Sequence, residues 1–181
     1  MYMLWQKSLS IFGVLLFFIT FVFVMNNKEK FCAFWATGFG VGFWPWGPGT
    51  AGALFATLMW IIYGSFVAES TLFFTNIAAI ILATVIGTIT TNKLERVWGE
   101  DPKKVVIDEM IGVWIPLTAC TMENMWYVAL SFVLFRFFDI VKPLGIRSLD
   151  RRHGGFWVMA DDILAGIYSL IIIIVLQWLC Q

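Results

Sequence analysis

FVLFRFFDIVKPLGIRSLDRRHGGFWVMADDILAG, residues 132–166, sets Arg136, Asp139, Lys142, Arg147, Asp150, Arg151, Arg152, Asp161 and Asp162 between two strongly apolar segments. Ionised groups at the edge of a membrane-length apolar run are costly unless they are paired, hydrated or bound to a metal. A chain that concentrates its charge there is expected to work at a membrane surface. The rest of the sequence is organised around that charged junction.

Composition agrees. Of 181 residues, 60% are apolar, 18% aromatic and only 13% charged, whereas a soluble domain carries roughly 25% charged residues. The surplus apolar surface is expected to face lipid. Charges balance to zero, so there is no basic footprint for nucleic acid. The length accommodates about six helical spans at ~20 residues each, so the expected fold is an all-α integral membrane protein. Cys32, Cys120 and Cys180 are scattered and read as small apolar residues. No cysteine has an arginine six residues on to cradle a phosphate. His153 is the only histidine, which excludes His-rich zinc sites and two-histidine phosphatase chemistry.

In chain order, Leu4 to Met25 is a near-continuous apolar run with no small-residue cleavage site after it, and reads as an uncleaved anchor. Residues 1–30 therefore form an expected N-terminal anchor helix, and 31–181 the main membrane domain. Phe31 to Thr50, FCAFWATGFGVGFWPWGPGT, is too dense in glycine and proline for one regular helix. Irregular backbone at membrane depth survives only where it lines a cavity or is buried in protein. The expectation is a re-entrant or interfacial loop, with free N–H groups near Gly49 and Thr50 that suit a phosphate. The other reading is an aromatic turn anchored by Trp44 and Trp46. Helices are expected at Ala51–Phe66, Thr71–Thr91, Val105–Thr121, Met125–Val141 and Phe156–Cys180, with Asn92–Lys104 a polar loop. Glu95, Glu100, Asp101 and Asp150 read as solvated loop charges.

Every basic residue except Lys7 falls within Asn26–Lys30, Asn92–Lys104 or Arg136–Arg152, while the alternate turns hold glutamates and no Lys or Arg. Basic loops stay in the cytoplasm, so both chain ends are expected outside. Asp108, Glu109, Arg136, Asp139, Lys142, Asp161 and Asp162 then converge on one cytoplasmic layer. Arg136, Asp139 and Lys142 form one helical stripe. Asp108 shares a face with Gly112, and Asp162 with Gly166 and Ser169, which suits close helix packing. Carboxylates without His or Cys partners are hard-cation chemistry, suited to Mg2+ or Mn2+ beside a phosphate. Arg136 and Lys142 are candidates to hold that phosphate. A structural ion-pair cluster is the plainer alternative, although carboxylates from several helices repel one another without a counter-cation.

GFGVGFWPWGPGTAGAL (38–54), VVIDEMIGVWIPL (105–117), FRFFDIVKPLGIRSLDRR (135–152) and DDILAG (161–166) closely resemble the phosphatidylglycerophosphatase A family. The resemblance implies a bacterial inner-membrane enzyme that removes phosphate from the phospholipid phosphatidylglycerophosphate in a Mg2+-dependent reaction. By position it gives functional weight to Gly49, Thr50, Asp108, Glu109, Arg136, Asp139, Lys142, Asp161 and Asp162. Asp108, Glu109, Asp139 and Asp162 are the expected metal carboxylates, and Asp161 an orienting group or base. Arg136, Lys142, Thr50 and the Gly49 backbone would bind phosphate, with water favoured over an aspartate as nucleophile. Two rivals stay open. A CDP-alcohol-type phosphotransferase also uses aspartates and Mg2+, but its D-G-x-x-A-R pattern is absent. A small transporter or scaffold with a carboxylate ion site would be expected to place those charges near mid-span.

Overall fold

A computed structural model describes residues 26–99, 103–143 and 145–180; the anchor expected over Leu4–Met25 lies outside them. The described residues are all-helical. The α-helices are α1 (Asn27–Ala36), α2 (Pro48–Gly64), α3 (Glu69–Trp98), α4 (Ile107–Leu117), α5 (Met125–Val141), α6 (Ile146–Asp150) and α7 (Gly155–Leu179), with a 3-10 turn at Val41–Phe43. Among them, α3 and α7 are long and apolar enough to cross a bilayer. Their outward faces stay apolar, with Phe74 70% and Trp178 72% exposed. Burying such surface in hydrocarbon is the physical reason to place them there.

Several boundaries differ from the sequence reading. The segment expected as a loop from Asn92 continues α3 to Trp98, because Asn92, Lys93, Glu95 and Arg96 mark departure from lipid, not the end of the helix. The breaker-rich segment begins later than Phe31. Residues to Ala36 are helical, and the backbone turns irregular at Gly38 and Phe39, both with positive φ.

The organising element is α4. It has 11 residues, about 16 Å at ~1.5 Å per residue, too short to span a hydrocarbon core of ~30 Å. The expected Val105–Thr121 helix is shortened at its far end by Pro116 and the turn that follows. Packed by α2, α3, α5 and α7, α4 is buried at all but two of its positions, Glu109 and Trp114. Its carboxylates therefore face protein rather than lipid.

Close packing of α4 on α7 follows from two glycines. A Cβ at Gly112 would strike the Phe135 ring and sit 3.0 Å from the Asp162 carbonyl oxygen; one at Gly166 would strike the Gly112 carbonyl. Pro116 lacks the N–H that would bond the carbonyl four residues back, so the Gly112 carbonyl is released where Gly166 approaches. Farther along, the Asn76 amide donates to the Trp114 carbonyl (2.9 Å), the Trp114 indole N–H to the Ala56 carbonyl (3.1 Å) and the Gln177 amide to the Ala119 carbonyl (2.8 Å). These bonds tie α2, α3 and α7 to the central helix. At the opposite end the chain gathers its charge.

Candidate active site

Asp108 and Asp162 each stand four residues before the glycine at which α4 and α7 meet. The close approach of the backbones therefore carries the two carboxylates to one point. Glu109, next along α4, joins them: one oxygen from each of Asp108, Glu109 and Asp162 lies within 4.8 Å of the others. Asp108 and Asp162 are buried and Glu109 nearly so. Asp108 Oδ1 and Glu109 Oε2 are buried without a hydrogen-bond partner among the described residues. Unpartnered buried carboxylate oxygens such as these two are costly, and three carboxylates converging on one point could hold a hard divalent cation.

Around this cluster stand the other predicted groups. Asp139 approaches Asp162, but its short contact, 2.5 Å, is with Arg136 Nη1, three residues earlier on α5. Arg136 Nε is buried without a hydrogen-bond partner among the described residues. Asp139 thus lies beside the three-carboxylate group as the partner of Arg136, outside the set of oxygens within 4.8 Å.

The start of α2 closes another side. Gly47 adopts positive φ, Pro48 occupies the first turn and the first helical bond is Ala51 N–H to the Gly47 carbonyl. A Cβ at Gly49 would overlap the Glu109 carboxylate and lie 3.3 Å from Arg136 Nη1. Only glycine lets the helix start come this close to the acids. Thr50 does not share this position: Gly47, Pro48 and Gly49 line the site cavity, whereas Thr50 is exposed and outside the lining.

Lys142, a candidate to hold phosphate, lines the cavity, where its ammonium donates to Asp161 Oδ2 at 2.8 Å and pairs with Asp150. Burial acts to lower its pKa, but the two carboxylates outweigh that and raise it above the ordinary lysine value. Lys142 therefore fastens the α6 segment to α7 and orients Asp161. Asp150 and Glu95, read from sequence as solvated charges, both line the cavity, and Lys103 joins them. Asp150 sits eight residues beyond Lys142, so its pairing depends on how residues 143–149 fold. No local spacing announces it.

The cavity formed by these groups measures about 620 Å³, within the range of ~300–1,000 Å³ usual for small-molecule sites. Its floor is the buried carboxylates; its exposed lining, at the mouth, is Arg151–His153 and Lys103.

Comparison with known proteins places these residues in context. Residues 34–177, which include every group described above, match the family model for Phosphatidylglycerophosphatase A. A Haemophilus influenzae protein of that name is 36% identical over 146 residues, covering 79% of this chain and 86% of its own length. The Escherichia coli protein of the same name is 38% identical over 136 residues, 74% of this chain and 76% of its own. A Bacteroides thetaiotaomicron protein provisionally named a phosphatidylinositol-3-phosphatase is 52% identical over 144 residues, 78% of this chain and 91% of its own. No solved structure matches the chain.

Proposed function

The chain belongs to the phosphatidylglycerophosphatase A family, and from that premise we propose that it is a Mg2+-dependent phosphomonoesterase converting phosphatidylglycerophosphate to phosphatidylglycerol at the cytoplasmic face of the membrane. The observation that carries this reading is the meeting of Asp108, Glu109 and Asp162 beside the unpartnered Arg136 Nε. The residues present fit a hard cation: all-oxygen donors, two of them orphaned, and a net excess of acid in the cavity. Asp108, Glu109 and Asp162 would hold Mg2+, and a cation bound there would supply charge neutralisation for the phosphate and a lowered pKa for water.

The chain's own groups do the rest. Arg136, steadied by Asp139, offers its remaining N–H donors to the phosphate oxygens. The α2 start brings backbone N–H groups and the positive end of a helix to the same side. Asp161, oriented by Lys142, lies next to Asp162 and is positioned to take a proton from water. The burial of the floor keeps bulk water from the reacting phosphate.

The test is phosphate release from phosphatidylglycerophosphate by purified protein, with and without Mg2+. Asp108→Asn and Asp162→Asn are each expected to lose about a hundredfold or more of the activity while unfolding at a temperature near that of wild type. Full activity in chelator, or in both variants, would remove the assignment. The 52% identity to the Bacteroides protein favours a second substrate of the same class, phosphatidylinositol-3-phosphate, to be assayed alongside.

A further inference from the structure

Seven carboxylates and five cations line the site cavity. Two of the cations, Arg136 and Lys142, are committed to Asp139, Asp150 and Asp161. The other three, Lys103, Arg151 and Arg152, make no ion pair among the described residues, yet all stand at the mouth. Asp108, Asp161 and Asp162 are buried on the cavity floor, with Glu109 nearly so. Lys103, Arg151 and Arg152 stand exposed at the rim, where the neighbouring exposed carboxylate, Asp150, is already paired with Lys142 and Glu95 is half-buried.

The rim is held in place. Residues 151–153 follow Asp150, which Lys142 fixes, and precede Gly155, whose N–H donates to Asn92 Oδ1 on α3 at 2.8 Å. The loop is therefore clamped at both ends. A Cβ at Gly155 would lie 2.6 Å from the Thr88 carbonyl oxygen, so the clamp is a close backbone contact. The Arg152 guanidinium lies over the Trp157 ring, 4.2 Å from its centroid, which further limits its freedom. Lys103 arrives from the chain entering α4, two residues before the buried Val105. The backbone that carries Arg151 and Arg152 is thus fixed, and the Arg152 side chain with it, which lowers the ordering cost of binding an anion there.

The lipids in the relatives' names present such an anion. Phosphatidylglycerophosphate and phosphatidylinositol-3-phosphate each carry two phosphates: a diester to the lipid and a terminal monoester, on carbons separated by a single carbinol carbon. A floor built for the monoester leaves the diester near the mouth. We propose that Lys103, Arg151 and Arg152 form a second anion subsite that holds the substrate's phosphodiester and so selects two-phosphate lipids over simple phosphatidic acid. This rests on the lipid-phosphatase reading above and adds what that reading does not specify, the feature by which substrates are chosen.

The same cations would also attract anionic headgroups of the bilayer, and the experiment separates the two sources. In neutral-detergent micelles, kcat and KM are measured for phosphatidylglycerophosphate and for phosphatidic acid, which has the monoester and no diester. Wild type is expected to favour the first in kcat/KM by tenfold or more. Lys103→Ala and Arg151→Ala should each raise KM for phosphatidylglycerophosphate about tenfold with kcat within twofold, the loss of one charge-assisted contact. They should shift phosphatidic acid by less than twofold. Arg151→Lys should recover most of the affinity, and Lys28→Ala, an exposed cation outside the cavity, should change neither lipid. Equal losses on both lipids, or losses reproduced by Lys28→Ala, mean general membrane attraction and overturn the subsite. So does a wild type that turns over both lipids equally, which leaves the phosphatase reading intact. Hydrolysis of neither lipid overturns both.

Discussion

Arg136 is the residue at which structure and chemistry are most tightly joined. Its Nη1 is held by Asp139 at 2.5 Å, its side chain is mostly buried, and its Nε has no partner. A lysine there keeps the charge but loses the planar fork, so it cannot bind Asp139 and a phosphate oxygen at once. Arg136→Lys is expected to lower kcat/KM about tenfold to a hundredfold, with little change in Mg2+ dependence, since none of the three clustered carboxylates is altered. A shift of the Mg2+ requirement as large as the loss in rate would instead make Arg136 part of the cation site. At this scale the sequence was partly legible. Arg136 and Asp139 pair at the i,i+3 spacing that helical geometry dictates. Lys142 continues that stripe in sequence, but it sits at the α5 end in a left-handed conformation, which turns it away toward Asp150 and Asp161. The helix ends at Val141 as the sequence indicates, so Lys142 lies one residue beyond it and the stripe does not govern where its side chain goes.

At the scale of elements, the site depends on how closely α4 and α7 pack. The faces were readable from sequence, because Asp108 with Gly112 and Asp162 with Gly166 repeat one spacing on two helices. Their opposition was not readable, because it depends on Phe135 of α5 filling the space beside Gly112. Gly112→Ala drives a methyl group into that fully buried ring and toward the Asp162 carbonyl. Overpacking of this kind costs about 1–3 kcal/mol, and separating the helices also separates Asp108 from Asp162. The expected result is a lower unfolding temperature together with weaker Mg2+ activation. Trimming the obstacle, as Gly112→Ala with Phe135→Leu, should recover part of both. If the double variant is no better than the single, the ring is not what the methyl meets. The same logic explains why α4 was over-extended from sequence. Apolar residues continue to Ala119 and Cys120, but Pro116 removes a helical bond and α4 ends at Leu117.

For the whole molecule, the open question is which face of the membrane carries the charged layer. Each of α2, α3, α4, α5 and α7 has one end in that layer, and the far ends meet at Gly64, Leu72, Met122 and the Gln177–Ala119 contact. The positive-inside rule predicts the layer in the cytoplasm and the end of α7 outside. The cysteines provide the probe. Cys180, just past α7, is exposed, whereas Cys32 and Cys120 are buried in the protein. In cells stripped of any outer membrane, a thiol reagent that cannot cross the bilayer should label the wild-type protein once, at Cys180, without lysis. A Lys103→Cys variant on a Cys180→Ser background should remain unlabelled until the cells are opened, because Lys103 stands at the cavity mouth on the opposite side. Labelling of both before lysis would mean that the helices do not separate two compartments. Labelling in the reverse order would put the carboxylates on the outer face and overturn the orientation expected from the basic loops.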